Sequence, residues 1–229
     1  MSGLILALDV LDEERALEII EETRASLTYV KVGYPLILSA GIKVLEKISQ
    51  LIPVIADLKV ADIPNTNRLI CREAFEDGVE GIICHGFTGR DSLEACIGVS
   101  REFDGDIYVV ADMSHPGASA FFPDISAKIC DLAVELGAEG IVAPANHPER
   151  LKEIKKIIKG LKLICPGVGV QGGSILNAVL AGADYLIVGR SIYMDKNPKI
   201  AAERIKKAIE EADERSRVLG ADDEEFPDK

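Results

Sequence analysis

The chain has 229 residues, 48% of them hydrophobic and only 5% aromatic with no Trp, enough to bury one large aliphatic core. Its formal net charge of −12 excludes a nucleic-acid binder that works by displacing counterions from phosphates, because such a surface must be basic. Five cysteines without a C-x-x-C pair, no basic leader before the first apolar run, and no apolar stretch near the ~20 residues of a membrane span lead us to expect a reduced, cytoplasmic chain that engages neither membrane nor nucleic acid.

Short β-branched runs alternate with amphipathic stretches from end to end, the pattern of a parallel sheet with crossover helices. The predicted strands are Leu4–Leu8, Tyr29–Val32, Val54–Leu58, Gly81–Cys84, Ile107–Ala111, Gly140–Ala143, Leu161–Cys165 and Tyr185–Val188, with helices between them and a last helix from about Pro198. Phrases such as Leu136-Gly137-Ala138 end a helix with a glycine and turn the chain into the next strand. Pro148 and Pro198 sit where a first helical turn tolerates proline. Eight such units without an inserted domain favour a single (β/α)8 TIM barrel over an open doubly wound sheet. The barrel is expected to span residues 1–219. The acidic segment 220–229 reads as a frayed, solvated end.

In such a barrel the chemistry gathers at the carboxyl ends of the strands. The predicted ends are polar: Asp9 after strand 1, Lys31 in strand 2, Asp57 and Lys59 in strand 3 with Asp62 three residues on, His85 after strand 4, and Asp112-Met113-Ser114-His115-Pro116-Gly117 after strand 5. Alternation puts Asp57 and Lys59 on one face, where Lys31 and Asp9 can complete an array of alternating charge. A buried structural salt-bridge network is the bland alternative, but the charges concentrate at one end of otherwise apolar strands. Gly167-Val168-Gly169-Val170-Gln171-Gly172 matches G-x-G-x-x-G, which alone could open a dinucleotide fold. It falls in the seventh unit, however, and Arg190 ends the eighth strand. That placement reads better as the phosphate cradle of a barrel, with backbone N–H groups and an arginine facing an anion. The histidines His85, His115 and His147 lack metal-ligand spacing, so no metal is expected.

These motifs, in order, resemble the orotidine 5'-monophosphate decarboxylase family in its short archaeal form. Asp57-Leu58-Lys59-Val60-Ala61-Asp62-Ile63-Pro64 is similar to its D-x-K-x-x-D signature. Leu6-Ala7-Leu8-Asp9, Lys31-Val32-Gly33-Tyr34-Pro35, Met113-Ser114-His115-Pro116-Gly117, Pro166-Gly167-Val168-Gly169 with Gln171-Gly172-Gly173, and Val188-Gly189-Arg190-Ser191 resemble its other motifs, from about Leu4 to Asn197. Cys165 stands where Ser is common before Pro-Gly. The signature is shared with Mg2+-dependent relatives, 3-hexulose-6-phosphate synthase and 3-keto-L-gulonate-6-phosphate decarboxylase, which typically carry an acid where this chain has Lys31.

The resemblance implies a cofactor-free decarboxylase of a pyrimidine nucleotide, homodimeric, with sites shared across the interface. Its implied catalytic residues are Lys59, Asp57, Asp62 and Lys31, with Asp62 reaching the neighbouring subunit's site. Its implied substrate contacts are Asp9, Lys31, Asp57, Ile63, Thr66, Ser114, Pro166, Val168, Gln171, Gly189 and Arg190.

Overall fold

The computed structural model describes residues 1–169 and 172–224, the side chains of 220–224 excepted. Eight parallel strands, β1 (Gly3–Ala7), β2 (Tyr29–Gly33), β3 (Val54–Val60), β4 (Gly81–His85), β5 (Asp106–Val110), β6 (Gly140–Val142), β7 (Lys162–Pro166) and β8 (Tyr185–Val188), pair in chain order and close into a barrel. Around them lie α1 (Glu13–Thr23), α2 (Tyr34–Ala40), α3 (Val44–Ser49), α4 (Pro64–Glu76), α5 (Arg90–Glu102), α6 (Phe122–Leu136), α7 (Pro148–Ile157), α8 (Ile175–Leu180), α9 (Arg190–Tyr193) and α10 (Pro198–Glu224). The expected barrel is therefore the observed one. Some strand limits move by a residue: Leu8 and Ala111 fall just outside β1 and β5, yet their N–H groups still bond Lys31 and Val142 carbonyls. The backbone of α10 runs to Glu224, past the Gly220 boundary expected for a frayed end; residues 225–229 lie outside the described residues.

Alternation along the strands produces two apolar layers. Outward side chains such as Leu4, Leu6, Val54, Ala56, Ile82 and Cys84 pack with the helices. Inward ones, including Ile5, Ile55, Ile83, Val110, Val142, Ile164 and Ile187, fill the barrel. Its amino end is closed by tyrosines: Tyr29 and Tyr185 meet edge to face with ring centroids 5.5 Å apart, and Tyr108 is buried beside them. The rings fit because glycines stand next to them. A Cβ on Gly81 would sit 2.7 Å from the Tyr108 ring, and one on Gly3 2.7 Å from Tyr185. With that end plugged and the middle filled, open space remains at the carboxyl end.

Helix ends obey local chemistry. Asp12 caps α1 by accepting the Arg15 N–H at 2.8 Å, and Gly137 ends α6 in the left-handed region (φ 75°). No helix among the described residues is long and apolar enough to cross a membrane.

Candidate active site

A cavity of about 250 Å3 occupies the carboxyl end of the barrel. Nine of the thirteen catalytic and substrate-contact residues that the resemblance implies line it: Asp9, Lys31, Asp57, Lys59, Ser114, Pro166, Val168, Gly189 and Arg190. They come from strands far apart in sequence, brought together by closure.

One wall carries the charges. Lys31 on β2 donates to Asp57 Oδ2 at 2.7 Å, and Lys59 on β3 donates to Asp57 Oδ1 at 2.7 Å. Asp9 lies 3.7 Å from the Lys31 ammonium. Burial alone would push the Asp57 carboxyl up, but the two ammonium groups outweigh it and hold the acid below its ordinary range. Burial likewise opposes the charge on Lys31, and Asp57 and then Asp9 overcome it. Lys31 and Asp57 are thus each held in the charged form by their neighbours.

Strand 3 reaches this geometry through an irregularity. Its register with β4 breaks between Ala56 and Val60, and Lys59 adopts φ 44°, one of three non-glycine residues with positive φ among the described residues. A left-handed lysine inside a strand costs roughly 1–3 kcal/mol and persists only where surroundings enforce it. Here the Tyr34 hydroxyl donates to the Leu58 carbonyl at 2.6 Å on one side, and Asp57 grips the ammonium on the other. Alternation was enough to foresee a shared face; the backbone kink at Lys59 has no sequence signal.

β3 and β7 stand opposite one another in a ring of eight, so the glycine segment faces the charged wall. Gly167 and Gly169 have φ of 97° and 81°, and the Gly173 N–H bonds the Gly167 carbonyl at 3.0 Å. A Cβ on Gly173 would lie 2.6 Å from that carbonyl, so the loop folds on itself only because the position is glycine. A Cβ on Gly169 would come within 3.0 Å of the Ser191 hydroxyl, so the β7 and β8 loops touch beside Arg190. Gln171 lies outside the described residues.

The remaining candidates divide. Ser114 lines the cavity, on a loop held by contacts that the sequence did not disclose. Asp112 is buried, accepts the Met113 N–H at 2.8 Å, and pairs with the Arg150 Nε of α7 at 3.0 Å. Asp62, Ile63 and Thr66 stand outside the cavity of their own chain. Asp62 and Ile63 are exposed, and Asp62 Oδ1 accepts the Ile63 N–H at 2.7 Å. The Asp62 backbone is clamped at both ends: Asn67 Oδ1 accepts its N–H at 3.0 Å, and Ser92 Oγ donates to its carbonyl at 2.8 Å. Asn67 in turn donates to Ser92 Oγ at 2.7 Å, and both side chains are buried. The His85 ring, at the end of β4, lies with its centroid 4.7 Å from that of Phe87 and tilted 47° to it, and its buried Nδ1 meets no hydrogen-bond partner among the described residues. Burial, and then the Lys59 charge, depress its pKa to about 4, so the ring is neutral.

Comparisons with known proteins converge on one family. Residues 2–205 match the family described as Orotidine 5'-phosphate decarboxylase / HUMPS family. The orotidine 5'-phosphate decarboxylase of Methanococcoides burtonii is 55% identical over 203 residues, covering 88% of this chain and 94% of that protein. That of Thermococcus kodakarensis is 50% identical over 211 residues, covering 91% and 97%. Among solved structures, orotidine 5'-monophosphate decarboxylase from Methanocaldococcus jannaschii, complexed with the inhibitor BMP, superposes with a TM-score of 0.88 at 45% identity, covering 91% of this chain and 99% of that one.

Proposed function

The chain belongs to the orotidine 5'-phosphate decarboxylase / HUMPS family, and we propose that it converts orotidine 5'-monophosphate to uridine 5'-monophosphate, the last step of de novo UMP synthesis, without metal or organic cofactor. The observation that carries this reading is the Lys31–Asp57–Lys59 array facing a glycine loop and Arg190 across one cavity.

Loss of CO2 from C6 of the pyrimidine leaves an electron pair on a carbon with poor delocalisation. Fixed charges must then hold that pair. In this reading the Lys59 ammonium faces C6, stabilises the developing carbanion, and transfers a proton to it. The C6–carboxylate bond breaks, a C6–H bond forms, and the resulting neutral amine regains its proton from water. Asp57 lies beside the departing carboxylate and fixes both lysines. Lys31 and Asp9 hold ribose hydroxyls, Ser114 reads the pyrimidine edge, and Pro166 and Val168 border the base. Arg190 and the Gly189 N–H take the phosphate, and Gln171 bridges base and phosphate. The phosphate is remote from the breaking bond, so its binding energy can drive closure of the β7 loop and exclude water, which strengthens each charge interaction inside.

Asp62, Ile63 and Thr66, outside their own chain's cavity, complete that of the partner in a homodimer. There Asp62 adds a second carboxylate to the Lys59 ammonium. The same scaffold could serve a Mg2+-dependent sugar-phosphate lyase. The charge pattern argues against it: Asp57 is already neutralised by two ammonium groups 2.7 Å away, which repel a divalent cation. The test is to add orotidine 5'-monophosphate to the purified chain in EDTA and follow the pyrimidine absorbance. Full turnover is expected. Activity that requires added Mg2+, or none with this nucleotide, would overturn the reading.

A further inference from the structure

Three of the chain's five thiols converge between the barrel and its helices, outside the cavity lining. Cys71 on α4, Cys84 on the outward face of β4 and Cys96 on α5 bring their sulfurs within 4.8 Å of one another. All three are reduced and buried, with 0%, 0% and 1% of their surface exposed, in the apolar layer that holds Val60, Ala74, Phe75, Leu93 and Ile97. Any one of them would pass as a small core residue. Three in mutual reach form a ligand set: sulfurs ~2.3 Å from one pyramidal centre are about 3.5 Å apart, so a shift of roughly 1 Å closes them on it.

We propose that Cys71, Cys84 and Cys96 form a buried binding site for a trivalent thiophilic metalloid, of which arsenite is the type. Charge and coordination number select this class. Three thiolates bring three negative charges into an apolar layer, where uncompensated charge is strongly disfavoured. A monovalent ion such as Cu(I) would leave two of those charges, and a divalent ion such as zinc would leave one. Zinc also takes a fourth ligand in structural sites, and the cluster offers three thiols. A trivalent metalloid ends neutral, and its lone pair occupies the fourth direction. The reaction balances without a redox partner. Three S–H bonds and three As–OH bonds break, three As–S bonds form, and three waters leave. Because the sulfurs are buried under α4 and α5, capture waits on local opening of that helix pair and is slow.

The test equilibrates the full chain, kept reduced by a phosphine, with arsenite or with zinc, then removes the excess. The expected result is one arsenic retained per chain, with a three-sulfur shell by X-ray absorption and no zinc retained. Cys71→Ser, Cys84→Ala and Cys96→Ser should each lose the three-sulfur signature, while Cys130→Ser keeps it. Should the variants fail to fold, the arsenic shell of the unaltered chain decides alone. No retained arsenic, a shell of two sulfurs or fewer, retention of zinc instead, or uptake unchanged in folded triad variants would each overturn the proposal.

Discussion

At the scale of single residues, the site is a set of charges whose protonation is fixed by neighbours. Asp57 stays ionised because Lys31 and Lys59 outweigh its burial, and His85 stays neutral because burial and Lys59 both oppose its charge. These shifts act in different pH windows. His85 takes a proton near pH 6.5 in the unfolded chain and near 4 in the folded one. Between those values the unfolded chain binds more protons, so stability falls as pH drops from about 6.5 toward 4. The Asp57 contribution persists through this window and is lost only below it, as pH falls through that acid's depressed pKa. His85→Phe keeps an aromatic ring beside Phe87 and Phe122. Denaturant titrations at a series of pH values should show the variant losing less stability across that window. Equal slopes for the two proteins would contradict the assignment.

At the scale of elements, α4 and α5 are coupled through Asn67 and Ser92, and the coupling fixes the Asp62 backbone. Ser92→Ala leaves the Asp62 carbonyl without its donor and takes from Asn67 one of its acceptors, at a cost of about 1–3 kcal/mol. Melting should report that loss, and kcat should fall because the carboxylate carried by this loop is no longer held. Ser92→Thr retains the hydroxyl and should restore both. Wild-type turnover in Ser92→Ala would show that the clamp does not position Asp62. Neither Asn67 nor Ser92 was legible in the sequence, for a physical reason. Their partnership spans 25 residues and exists only once α4 and α5 pack side by side. The same holds for Asp112 with Arg150, and for the tyrosines that rest on glycines of neighbouring strands. What could be read were features written locally: period-two apolar runs, glycines after helices, and charges at strand ends. The barrel and the charged cavity residues Asp9, Lys31, Asp57, Lys59 and Arg190 follow from those, whereas Ser114, Pro166, Val168 and Gly189 are implied only by the family resemblance.

At the scale of the whole molecule, closure of eight strands sets the charged wall against the glycine loop and leaves Asp62, Ile63 and Thr66 facing outward. A homodimer that shares its sites makes a specific demand on mixtures. Lys59→Ala and Asp62→Ala subunits, each inactive alone, should regain activity when dissociated and reassociated together, because one hybrid cavity then has both groups intact. Absence of recovery in verified hybrids would place every catalytic group within one chain.

The most direct measurement on the central claim compares Lys59→Ala with the unaltered chain in single-turnover kinetics and in equilibrium binding of UMP. If the Lys59 ammonium shelters and protonates the C6 carbanion, turnover disappears while phosphate-anchored binding of UMP survives within about tenfold, since Arg190 and the glycine loop are untouched. Near-normal turnover by Lys59→Ala would contradict the account.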